Sequence, residues 1–136
     1  MLFTTLNGRA TRDISITPYL IDWEHAVSKP QKAVKDFLRP YWRLDQVVEE
    51  LRIPSSRYRV DLCNLSTSVM VEVSPAQHHG FNPFFHGSVS GWQASLKRDI
   101  KKERWAALNG LTYIELDDAD LATLSVELFA ERGVIL

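Results

Sequence analysis

The stretch RYRVDLCNLSTSVMVEVS, Arg57 to Ser74, holds two runs that alternate apolar and polar residues on either side of Leu65-Ser66-Thr67-Ser68. Alternation with period two is the mark of a strand, and so short a link favours antiparallel neighbours. In the second run Val69, Val71 and Val73 fall on one face and Met70, Glu72 and Ser74 on the other. In the first, Tyr58, Val60 and Leu62 oppose Arg57, Arg59, Asp61 and Cys63. Asp61 and Glu72 therefore sit on the polar sides of two strands that can lie side by side, where both carboxylates can converge on one ion. Oxygen ligands on a hard divalent cation suit phosphoryl chemistry. The same pattern also suits two solvated acids on an exposed sheet face, paired with Arg57 or Arg59.

Upstream, Gln46 to Ile53 reads as a further strand, linked through Pro54-Ser55-Ser56. Before it, Ser28-Lys29-Pro30-Gln31 has the form of a helix start, with Ser28 as N-cap and Pro30 in the first turn. That helix is expected to stop before Pro40 and to bury Val34, Phe37 and Leu38, with Gln31 on the same side. Downstream, Pro75 to Gly91 shows no steady period and reads as a long loop of the kind that often carries function. A helix from Trp92 to Asn109, a strand from Thr112 to Leu116 and a helix from Asp120 to Arg132 follow. The helix between the third and fourth strands makes a crossover, so the fourth strand joins parallel. The expected class is α/β (α+β), a mixed central sheet of about four strands flanked by helices. One domain is expected, with residues 1–27 as an N-terminal extension, 28–116 as the core and 117–136 as a C-terminal helix.

With 45% hydrophobic and 24% charged residues the composition is that of a folded chain, not a disordered one. The opening MLFTTLNGRATRD lacks the basic and apolar regions of a secretory signal, and no apolar run reaches the roughly 18 residues that span a bilayer. A cytoplasmic protein without membrane contact is expected. Cys63 is the single cysteine, which excludes an intrachain disulfide and a cysteine-rich zinc site. The net charge of −1 is unevenly spread: residues 113–136 carry −5, leaving +4 for residues 1–112. A basic body beside an acidic tail permits a local phosphate-binding face.

On a helical wheel Trp92, Leu96, Ile100, Ala106 and Ala107 share an arc, into which Asp99 and Glu103 point. An acid on an apolar face needs a charge, a metal or a hydrogen bond to meet it; a pair with Lys102 at i+3 is the plainer alternative. Lys97, Arg98 and Lys101 lie elsewhere on the helix. His78, His79 and His86 are loop residues by sequence, and Phe81, Phe84 and Phe85 suit packing.

Taken in order, Asp61, Glu72-Val73-Ser74, Gln77-His78, Arg98-Asp99 and Lys102, then a closing strand, resemble the PD-(D/E)XK nuclease superfamily. The likeness is nearest to its branch of very short patch repair endonucleases and phage homing endonucleases, and it covers Ser28 to Leu116. It implies a restriction-endonuclease-like core and a Mg2+- or Mn2+-dependent deoxyribonuclease acting on double-stranded DNA, either as a homodimer or as a monomeric nicking enzyme. Localisation would be the host cytoplasm for a phage-encoded protein. The resemblance implies Asp61, Glu72 and the Val73 carbonyl as metal ligands, with Gln77, His78 and Asp99 completing the site. Gln31 stands where relatives often carry a glutamate. Lys97, Arg98, Lys101 and Lys102 would contact backbone phosphates. One departure bears on mechanism: Ser74 stands where the motif has a lysine. His78, backed by His79 and His86, or Lys102 reaching from the helix, would restore the function; failing both, the domain would bind nucleic acid without cutting it, and a junction-resolving nuclease is a further option.

Overall fold

The computed structural model describes residues 1–74 and 89–136. A short hairpin, β1 (Leu2–Thr4) and β2 (Thr11–Asp13), opens the chain, with Gly8 in the turn at φ 75°. A 3-10 turn at Thr17–Tyr19 leads to α1 (Lys29–Trp42). Then come β3 (Val47–Arg52), β4 (Arg59–Asn64), β5 (Val69–Val73), α2 (Val89–Leu108) and β6 (Thr112–Leu116). Two short helices, α3 (Asp118–Ala122) and α4 (Val126–Glu131), close it. The sheet order is β3-β4-β5-β6, antiparallel except for the parallel β5–β6 pair. The mixed four-stranded sheet and its parallel last strand are as expected. Among the described residues no helix is long and apolar enough to cross a membrane.

Each face of the sheet is covered. On one, Val34, Leu38 and Trp42 of α1 and Phe129 of α4 meet Leu62, Val69, Val71, Ile114 and Leu116. On the other, Trp105 and Ala106 of α2 and Phe3 of the hairpin meet Val48, Cys63 and Met70. Residues 1–27 are thus integral to the packing. The Trp105 indole N–H donates to the Thr4 carbonyl at 2.7 Å, and the Thr4 N–H donates to Asn109 Oδ1 at 2.8 Å.

Three local expectations are corrected. Helix α1 does not stop before Pro40 but runs to Trp42. Proline leaves the carbonyl four residues back without its N–H partner, yet Asp36 and Pro40 are both exposed, so water can take that role. Trp42, only 3% exposed, holds the last turn against the core; burying a large side chain is worth about 2–3 kcal/mol, comparable to the cost of the proline. The C-terminal segment is two helices, because Ser125 caps a new start by accepting from the Leu128 N–H at 3.1 Å, and Asp117 with Asp120 forms a capping box that begins α3 two residues early. Helix α2 starts at Val89, and its buried side is Lys102, Trp105 and Ala106; Ile100 is 66% exposed and Glu103 and Ala107 face solvent. Three contacts from Trp105 and Asn109 to the hairpin outweigh the apolar arc, which sequence periodicity alone cannot weigh. Its end follows the expected Asn109-Gly110 signal. Gly110 at φ 68° lets the Leu111 N–H reach the Ala106 carbonyl and its own N–H the Ala107 carbonyl.

Strand alternation is also interrupted. Val69, Val71 and Leu62 pack on the α1 side, and Met70 and Cys63 on the α2 side, as the pattern requires. Val60, however, joins the α2 side with Cys63, three residues on, and so do Leu51 and Val48 in β3. The phase therefore changes at Asp61 and at Glu50, which lie opposite one another, and Glu50 holds φ 52°, a left-handed conformation rare for a residue with a side chain. This double break is what re-aims the acids of the site.

Candidate active site

The β4–β5 ladder runs from Asn64–Val69 only as far as Leu62–Val71. One residue further, side chains replace it. The Asp61 N–H donates to Glu72 Oε2 at 2.7 Å, and the Val73 N–H donates to Asp61 Oδ2 at 2.9 Å. The strands fork at this point, and each carboxylate accepts an amide of the opposite strand that would otherwise lack a partner. Asp61 and Glu72 are consequently neighbours at the sheet's interior, not solvated acids on an open face; Glu72 is 3% exposed.

Lys102 enters from α2 and donates to Glu72 Oε1. It is itself 8% exposed, so its ammonium is directed inward at the site, while Lys97 and Lys101 face solvent and Arg98 is half-buried beside Asp99, 3.8 Å away. Lys102 thus places a positive charge on the strand-five acid. Ser74 instead continues the sheet, its N–H donating to the Leu116 carbonyl at 2.9 Å.

The charges do not balance. Burial and the negative charge of Asp61 push the Glu72 carboxyl up to about 8, against the pull of Lys102. Burial likewise raises Asp61, although the Val73 N–H and Lys102 favour its ionised form. Burial and the Glu72 charge push the Cys63 thiol up to about 12, so it is an inert thiol. The Tyr113 phenol is raised by burial and by Glu115, Glu72, Asp99 and Glu103, which puts Asp99 within electrostatic reach of the same centre. One buried lysine faces buried Glu72 and half-buried Asp61, with Glu50 beyond them and Arg98 and Arg59 offsetting part of the charge; a bound cation would relieve the repulsion between the acids.

Glu50 is the acid the sequence reading missed. It sits directly across from Asp61, and its carboxyl is raised by burial and by the Asp61 charge, with Arg59, Gln31 and Lys102 acting the other way. Gln31, half-buried on α1, thus faces a carboxylate in place of being one. A signal was present: counting outward from Ser55-Ser56 as the hairpin centre pairs position 50 with 61. Gln77, His78, His79 and His86 lie outside the described residues.

Among the described residues, no three of His, Cys, Asp and Glu form a ready-made metal cage. The residues present nevertheless fit a magnesium-like ion, which is commonly held by one or two carboxylates together with waters and substrate phosphate oxygens. Asp61 and Glu72 would hold it, with Val73 adjacent and Glu50 across the strand.

Comparisons with protein-family models, with curated proteins and with solved structures gave no match.

Proposed function

We propose that the chain is a Mg2+- or Mn2+-dependent DNA endonuclease of the PD-(D/E)XK type. The observation that carries this reading is the fork between β4 and β5, where Asp61 and Glu72 interlock and Lys102 reaches the second acid. A strand-borne acid pair with an adjoining ammonium is the donor set that phosphodiester hydrolysis needs. A bound divalent ion supplies Lewis acidity there, lowering the pKa of water and offsetting charge on the phosphate oxygens.

The chain's own groups do the rest. Asp61 and Glu72 would hold the ion, and so set where the reacting phosphate lies. Lys102 favours the ionised form of Glu72 against burial and the Asp61 charge, and adds positive charge where the transition state gathers negative charge. His78, with a near-neutral ordinary pKa, is the proposed acceptor of the water proton, backed by His79 and His86. Water attack on phosphorus in line with the departing oxygen breaks the P–O3′ bond and leaves a 5′-phosphate and a 3′-hydroxyl. Asp99 and Gln77 are proposed to position these groups, and Lys97, Arg98 and Lys101 to hold flanking phosphates.

Plasmid DNA incubated with the protein and Mg2+ tests the proposal. Cutting is expected, and its loss in both Asp61→Asn and Glu72→Gln variants that retain native circular dichroism supports it. DNA binding without cutting by the unaltered chain would replace it with a silent binding module. Neither binding nor cutting would remove nucleic acid from consideration.

A further inference from the structure

Three clefts lie end to end around the β3–β4 hairpin. The first, about 430 Å³, is lined by Tyr19, Glu50, Arg52 and Arg59 among others, so it begins at the acid that faces Asp61. The second, about 390 Å³, shares Tyr19 and Arg52 with it and continues along Pro54, Ser55 and Arg57. The third, about 290 Å³, shares Ser55 and passes to Lys101 and Arg104 of α2. Shared lining residues make them neighbours, a discontinuous groove that runs from Glu50 past the hairpin tip to Lys101 and Arg104 of α2.

Five cations line these clefts, with Glu49 and Glu50 the acids at the first of them. Arg52, Arg57, Arg59, Lys101 and Arg104 are all exposed, and none has a carboxylate within ion-pair distance among the described residues. Arg52 and Arg59 are direct cross-strand partners. Like charges in that position destabilise a hairpin, and a bound polyanion would remove the penalty. The Arg52 Nε–H donates to the Ser56 carbonyl at 2.9 Å, which fixes the guanidinium and leaves its terminal N–H groups to point outward. Lys101 is steadied over the Tyr58 ring, 5.9 Å from its centre. Arg52 and Lys101 are thus pre-set donors on the hairpin and on α2.

We infer that this groove seats the sugar–phosphate backbone of a DNA duplex on one side of the scissile phosphate, with Arg57 and Arg104 as phosphate contacts on either flank of the hairpin tip. The inference deepens the nuclease reading and rests on DNA being the substrate. It adds a hairpin surface to the helix face that the sequence indicates.

The test is fluorescence anisotropy with a labelled short duplex in EDTA, where no cutting interferes, across a salt series. Arg57→Gln/Arg104→Gln is compared with Arg43→Gln, an equally exposed arginine at the end of α1. Neither Arg57 nor Arg104 makes a side-chain hydrogen bond among the described residues, so the double variant should fold; its thermal midpoint verifies this. Loss of two phosphate contacts is expected to shallow the log–log salt slope by about 2 and to weaken binding about 10- to 100-fold in 0.1 M salt. Arg43→Gln should leave both unchanged. An unaltered slope in the double variant, an equal change in Arg43→Gln, or no duplex binding by the wild-type chain each overturns the groove. Binding that follows the expected pattern without plasmid cutting would sink the nuclease reading and leave the groove standing.

Discussion

Two buried lysine–glutamate pairs hold helices to the sheet, and they differ in their surroundings. On the α1 side Lys35 joins Glu49 of β3, and every remaining group is engaged locally: Lys35 also donates to the His25 carbonyl, and Glu49 Oε2 accepts the Asp22 N–H at 2.6 Å. On the α2 side Lys102 joins Glu72, but a second acid, Asp61, is locked against the same carboxylate and a third, Glu50, faces Asp61. The first pair is charge-matched and clamps residues 22–25 to the core. The second gathers three acids around one buried lysine and sits where the ladder opens. A buried ion pair with its charges matched reads as structure; one with an excess acid and a raised pKa marks a place where a cation or a proton is wanted.

The largest expected effect separates the two pairs by activity. Glu72→Gln or Asp61→Asn should lower cleavage at least about 10³-fold, near 4 kcal/mol of barrier, measured as initial rate of plasmid nicking. Lys35→Met should leave the rate per folded molecule unchanged. In stability the order reverses. Removing Lys35 strands a mostly buried carboxylate and is expected to cost about 3 kcal/mol in urea unfolding at neutral pH, a figure lowered for the partial exposure of Glu49.

Next comes pH. Glu72 is raised from 4.5 to about 8, so the native state holds its proton where the unfolded chain has released it. Stability from this group is fully present below about pH 4.5 and is lost as pH climbs through 8, a decline of a few kcal/mol. Thermal midpoints between pH 4.5 and 8.5 should fall accordingly, and Glu72→Gln should flatten the fall. Lys102→Met should extend the fall above pH 8, because the ionised acid then loses its ammonium and its carboxyl rises further; a curve that levels off where the wild type does would place Lys102 outside the pair. The smallest effect is assigned to Glu50→Gln, with about a tenfold loss of apparent Mg2+ affinity in the cleavage assay and a lowered Asp61 pKa, since one repelling charge is gone.

Much of this was readable in advance, and the misses have physical reasons. Strand order, the parallel fourth strand and the closeness of Asp61 to Glu72 follow from alternation, short links and one crossover helix. Period counting failed at Glu50 and Asp61, because a left-handed residue opposite a phase change is a tertiary compromise that leaves no trace in polarity. It failed again on α2, where Lys102 is buried and Ile100 exposed. A lysine at the core is legible only once the acid it serves has been placed. Helix α1 passed its proline because Trp42, two residues on, had a core to enter.

Calorimetric titration of Mn2+ into the protein, repeated in two buffers of different ionisation heat near pH 7, addresses the shared ion most directly. Uptake accompanied by proton release, with both signals lost in Glu72→Gln, is the expected result, because the raised carboxyl must shed its proton to become a ligand. No uptake, or uptake that Glu72→Gln leaves intact, would contradict a cation held between Asp61 and Glu72.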